Sequence, residues 1–149
     1  MAHWWIFPLW KTLHAFGMTM LIGVVMLVDL RIFGVAKALP LRPLQRLMPW
    51  AAAGFLITLV TGAVLIRLNP AQYVGPRPNL AFLAKALFIV LIGLNDILYF
   101  ATGLKREVDG VGAGEAASAS AKIVAGVSLA LWIGVIYWGG MLPFFGSAS

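Results

Sequence analysis

The chain has 149 residues, 62% of them hydrophobic and only 11% charged. A soluble domain is nearer about 45–50% apolar and about 25% charged, so this balance excludes an ordinary water-soluble enzyme domain and points to a bilayer. The net charge of +6 does not point to nucleic acid, because the basic residues flank apolar runs instead of forming a stripe with interleaved aromatics. There are no cysteines, which excludes disulfides, iron–sulfur clusters and thiolate ligation.

Four runs, at about 12–35, 48–68, 82–103 and 120–143, reach the roughly 20 apolar residues that a membrane-crossing helix needs. They predict an all-α integral membrane four-helix bundle, with residues 1–149 forming one transmembrane domain and antiparallel neighbours joined by short links. Residues 2–10 carry neither a basic leader region nor a small-residue cleavage site, so the first helix is expected to stay in the mature protein.

The first run, TLHAFGMTMLIGVVMLVDLRIFGV, holds His14, Asp29 and Arg31. Ionisable groups in lipid are costly and need a partner, a water-filled cavity or a ligand. At about 100° per residue, Lys11, His14, Met18 and Asp29 share one face while Arg31 points elsewhere, so Asp29 and Arg31 are not a local pair. A buried imidazole is a common ligand for metals and haem iron. Gly17 would open space beside it for a flat macrocycle, and Met18 would add a thioether for copper. Three readings of His14 stay open here: a hydrogen bond across the bundle, ligation of haem b, or a copper site. Haem lacks an evident second ligand, since the only other histidine is His3; Met141, a second subunit or five-coordination would have to supply it. Met1-Ala2-His3 has the spacing of an amino-terminal copper site, but small Ala2 favours removal of Met1, and a histidine at the membrane surface is the better reading of His3.

The first connection, AKALPLRPLQRL at 36–47, reads as a short amphipathic link. The second run carries Gly54, Thr58 and Gly62 at four-residue spacing, a small face for close helix approach. The second connection, 69–79, has three prolines and a glycine and is expected to be irregular, with Asn79 as N-cap of the third run. In that third run Lys85 matches His14 in depth, and Asp96 matches Asp29 and Arg31; Arg31 is expected to pair with Asp96, and Asp29 to face Asn95. The third connection, 104–119, is rich in Gly, Ala and Ser and reads as a flexible linker. The last run repeats the small spacing with Gly126, Ala130 and Gly134, for packing within the bundle or against another subunit.

Seven basic residues fall at the first and third connections and four on the other side. The positive-inside rule then places those two connections in the cytoplasm and both termini outside, with Trp4, Trp5, Trp10 and Trp138 at the outer interface and Trp50 at the inner one. The chain has no phosphate loop, no Ser/His/Asp set and no paired catalytic carboxylates, so catalysis of its own is not expected.

The stretch WIFPLWKTLHAFGMTMLIGVVMLVDLRIFG, with its W-x-F-P, H-x-x-G and D-L-R motifs, resembles the opening of a family of small uncharacterised bacterial four-helix inner-membrane proteins. The likeness continues through LMPWAAAGFLITLVTG, FLAKALFIVLIGLN and LALWIGVIYWGG, and places His14, Gly17, Asp29, Leu30, Arg31, Lys85, Asn95 and Trp132 at family-like positions. That layout is similar to copper-resistance-D-like and cytochrome-b-like membrane modules. The resemblance implies haem b or copper at His14, with Gly17, Met18 and Lys85 around it, in a redox-associated inner-membrane subunit. The alternatives are a cofactor-free accessory subunit of a larger complex or oligomer, and a small copper or ion transporter. Phe100 stands where related sequences often have a histidine, and Gly139-Gly140-Met141 where they often have Gly-Arg.

Overall fold

A computed structural model describes residues 3–76 and 79–145. Among these the chain is helical without a strand: α1 (Ile6–Phe33), α2 (Leu41–Gln45), α3 (Met48–Leu68), α4 (Pro70–Val74), α5 (Leu80–Ala101), α6 (Leu104–Asp109) and α7 (Ala119–Phe145). The helices α1, α3, α5 and α7 are long and apolar enough to cross a membrane, which makes this a multi-pass membrane four-helix bundle. Met1 and Ala2, and with them the amino-terminal copper motif, lie outside the described residues.

Local chemistry sets the ends. Helix α1 begins earlier than hydropathy predicts because Pro8 falls in its first turn, where backbone N–H groups have no helical acceptor. It stops at Gly34, whose φ of +121° a side chain would resist; the Gly34 amide folds back onto the Leu30 and Arg31 carbonyls. Asn79 caps α5 as expected: its Oδ1 accepts from the amides of Ala81 (3.0 Å) and Phe82 (3.3 Å), while its Nδ2 donates to the Leu142 carbonyl of α7 (3.0 Å).

The connections are more regular than the composition implies. Pro70 starts the one-turn helix α4 within a segment expected to be irregular, because a proline at the first helical position loses no hydrogen bond. The third connection is not a free linker: it folds into α6, and Leu104 and Val108 bury themselves with Leu41 of α2, Val28 and Ile32 of α1 and Ala121 of α7. This apolar cluster closes the end of the bundle that carries α2 and α6.

The helices pair as two hairpins. Helices α1 and α3 pack most closely, α5 and α7 form the second pair, and α1 against α7 joins the two. The α1–α3 crossing is a backbone contact: a Cβ on Gly54 would lie 2.7 Å from the Gly17 carbonyl oxygen, and one on Gly17 would lie 2.9 Å from the Gly54 oxygen. The small face Gly54-Thr58-Gly62 is therefore spent inside the chain on α1. The small face of α7 is divided: Gly126 receives the Phe33 ring of α1 and Gly134 the Phe88 ring of α5.

Candidate functional site: two polar tiers and an apolar layer

Three tiers stack along the α1–α5–α7 interface. The middle tier is apolar. Leu21 and Ile22 of α1, Ile92 of α5, and Trp132 and Val135 of α7 are buried there, with Met18 and Phe88 packed against them. The ionisable residues of the membrane-spanning helices lie above and below it.

The upper tier, toward the chain termini, holds His14 and Lys85. The His14 Nδ1 lies 3.1 Å from the Thr58 carbonyl and 2.9 Å from Thr61 Oγ1. The Thr61 hydroxyl donates back along its own helix to Ile57 at 2.6 Å, and a carbonyl can only accept. Nδ1 therefore carries the proton and donates to both, which leaves the Nε2 lone pair without a protein partner among the described residues. Gly62 makes room for the ring: a Cβ there would sit 3.3 Å from Cε1. The Lys85 side chain crosses from α5 to α7 and lays its ammonium over Gly139, 3.8 Å from where a Cβ would be.

The lower tier is a cavity of about 190 Å³, lined among others by Asp29 of α1, Asn95, Asp96 and Tyr99 of α5, Ser128 of α7 and Lys105 at the start of α6. Asp29 is 9% exposed and accepts a short hydrogen bond from the Ser128 hydroxyl. Gln45 of α2 donates to the Tyr99 hydroxyl at 3.3 Å, tying the cap to the cavity wall. Lys105 is held by Asp109 at 3.1 Å, the only ion pair among the described residues.

Two expected pairings are corrected. Arg31 does not meet Asp96. It is 1% exposed, and its guanidinium donates to the carbonyls of Leu39 (Nε, 2.5 Å), Gly112 (Nη2, 3.1 Å) and Glu115 (Nη2, 3.0 Å). Its side chain points away from the cavity into the two connections, as the helical angle between residues 29 and 31 requires. Asp29 does not meet Asn95 either; Asn95 donates to the Val124 carbonyl at 3.2 Å. Arg31 of α1 thus ties the Gly/Ala/Ser connection to the end of the bundle.

Around His14 the structure shows no opened slot and no cluster of ligating side chains. Gly17 opens no slot for a macrocycle, because α3 fills the space: a Cβ there would already meet Ile57 and Thr58 side-chain atoms at 2.8 Å. Met18 turns into the apolar tier, and the lower-tier cavity is not lined by His14, Gly17, Met18 or Lys85. Among the described residues no group of three or more metal-ligating side chains comes together. Ser128, Gln45, Tyr99 and Lys105 are cavity residues that sequence reasoning missed. Ser128 had a signal: a lone hydroxyl four residues before Trp132 in an apolar run.

Comparisons with protein-family models, with curated proteins and with solved structures find no match to this chain.

Proposed function

We propose that this is an inner-membrane protein that takes protons into the Asp29–Asp96 cavity from the α2/α6 side, as a proton-conducting or proton-coupled membrane unit. The observation that carries the reading is the pairing of two carboxylates with one cavity that contributes no free cation: Lys105, the one basic group in its lining, is engaged by Asp109. Carboxylates inside a membrane bundle without a fixed counter-ion are suited to accept and release protons. Ser128 and Asn95 supply hydroxyl and amide groups that can order water between them. The charge bias of the connections supports placing α2 and α6 in the cytoplasm, with both termini periplasmic, so the cavity would load from inside. The apolar tier with Trp132 then separates it from the opposite face.

The test uses the full chain in liposomes containing a pH-sensitive dye, with the membrane potential clamped. A pH step should be relayed faster than in empty liposomes, and Asp29→Asn should abolish the difference while Asp96→Asn slows it. Liposomes with the protein that respond no faster than empty ones would sink the reading. A C-terminal reporter that is active only in the cytoplasm would reverse the orientation.

A further inference from the structure

Given the lower cavity as a proton site, the reading on which this inference rests, we propose that it also binds a small monovalent organic cation: an ammonium that keeps N–H groups and carries an apolar substituent.

Hydrogen-bond donors and acceptors are unequally available in the cavity. The Ser128 hydroxyl gives its proton to Asp29, and Asn95 donates to the Val124 carbonyl. The Gln45 amide donates to the Tyr99 hydroxyl, and the Lys105 ammonium is held by Asp109. The acceptors are left over. Asp29 is 9% exposed and bonds only through Oδ2, to Ser128. Its Oδ1 has no hydrogen-bond partner among the described residues, yet it is not a sealed atom, so it opens on the cavity that Asp29 lines. Asp96 lines the same cavity and has no ion pair among the described residues. Against these oxygens stand only the Tyr99 O–H and the second amide hydrogen of Asn95. An ionised carboxylate accepts and cannot donate, so a ligand that completes this site donates hydrogen bonds and carries positive charge.

The remaining walls decide what kind of cation. Val28 and Ile32 of α1 and Ala121 and Ala125 of α7 are buried in the lining. A bare metal ion wants oxygen atoms all around it, and these walls are hydrocarbon. An ammonium on an alkyl or aryl group satisfies both halves. The size agrees. An apolar cavity of about 150 Å³ takes benzene, and this one, at about 190 Å³, has room for benzylammonium. The exposed members of the lining, Met48 of α3, Asp96 and Phe100 of α5 and Lys105 of α6, mark the mouth. Helix α5 packs on α7 and not broadly on α3, which leaves that mouth open between α3 and α5. Tyr99 and Phe100 bring aromatic rings to the lining, and a cation is attracted to ring faces. The other titratable groups at the site are few: Tyr99 on α5, and Lys105 with Asp109 on α6. The lining from α2, α3 and α7 brings none, and Arg31 of α1 turns into the connections.

The full chain in a neutral detergent is titrated with benzylammonium by calorimetry at several pH values. Benzylammonium should bind, and benzyl alcohol, of the same size without the charge, should not. Methylammonium should bind at least about ten-fold more weakly, because it leaves the apolar walls bare. An alkylammonium stays charged between about pH 5 and about pH 8, so a change of affinity in that range reports the carboxylates. Proton and cation compete for the same oxygens, so affinity should fall as the pH is lowered, and binding should release protons. Asp29→Asn should weaken binding at least about ten-fold through the loss of a charge-assisted hydrogen bond, and Asp96→Asn should act in the same direction. Arg67→Gln, at the opposite end of α3, should match the wild type. Absent binding, equal heats from benzyl alcohol, an affinity indifferent to pH, or equal affinities of wild type and both aspartate variants overturn the proposal. Displacement of benzylammonium by an equal concentration of sodium assigns the cavity to inorganic cations and also overturns it. Binding seen only in Lys105→Gln overturns it too, since the lysine of the chain then fills the cavity. Should Asp29→Asn fail to fold, the benzyl alcohol comparison and the pH dependence of the wild type decide. Proton relay in liposomes without benzylammonium binding removes this inference and leaves the proton reading standing; binding without relay does the reverse.

Discussion

Replacing Arg31 by methionine should loosen both connections on the α2/α6 side without disturbing the bundle above them. The side chain makes three hydrogen bonds to backbone carbonyls, one to the first connection and two to the third. Hydrogen bonds to a charged group are each worth roughly 1.5–3 kcal/mol, so the gross loss is about 4–9 kcal/mol. Against this stands the relief of a buried charge, which costs several kcal/mol in its own right. Methionine keeps the apolar stem, and the freed carbonyls lie in connections that water can reach. A net loss of about 3 kcal/mol follows, equivalent to roughly a hundred-fold in local opening. Hydrogen exchange read by mass spectrometry is the assay. The Gly114 amide, which donates to the Lys37 carbonyl at 2.6 Å and staples the two connections together, should exchange about a hundred-fold faster, while the centre of α1 is unchanged. Unaltered exchange at 112–115 in Arg31→Met would refute the reasoning. A double-mutant cycle adds a second check: Arg31→Met and Asp96→Ala should be additive within about 0.5 kcal/mol, and a larger coupling would restore the ion pair that the structure replaces.

Gly54→Ala should separate α1 from α3, because its Cβ would lie 2.8 Å from the Leu21 amide and 2.9 Å from Met20 Cβ, and overpacking of this kind costs about 1–3 kcal/mol; a thermal midpoint equal to wild type would contradict the close crossing. Asn79→Ala should cost about 1–2 kcal/mol through the lost cap of α5 and should also free the Leu142 carbonyl, whereas Asn79→Ser should recover the cap alone; unfolding in detergent would show the difference. Thr61→Val should leave His14 bonded only to the Thr58 carbonyl and cost about 1 kcal/mol, and an unshifted Nδ1 proton resonance in the variant would argue against that bond. The purified protein should show no haem band in a reduced-minus-oxidised spectrum, and a band lost on His14→Ala would reinstate the haem reading.

Much of the architecture was legible before any coordinates. Four apolar runs dictate four spanning helices because a backbone in lipid must satisfy its own hydrogen bonds. The depth of an ionisable group follows from counting residues along a helix, which is why Asp29 and Asp96, matched in height, line one cavity. The N-cap role of Asn79 is local chemistry and was equally readable. Partners were not, because depth does not say which way a side chain points across a bundle or what its neighbour helix offers. Arg31 could have met Asp96 or two loops; only the folding of residues 36–40 and 111–116 beneath α1 places three carbonyls around it. Gly17 read as an opening beside His14, yet a glycine in a membrane helix also invites a second backbone, and Gly54 of α3 takes that space. The cavity was invisible for the same reason. Its wall combines α1, α5 and α7 with residues from α2, α3 and α6, and no spacing within one segment encodes a meeting of six. Composition and periodicity decide which segments enter the bilayer and which residues lie at which level, since those depend on each helix and the solvent alone. Which polar groups meet is decided by packing between helices, where close backbone contact and loop closure choose among partners of equal depth.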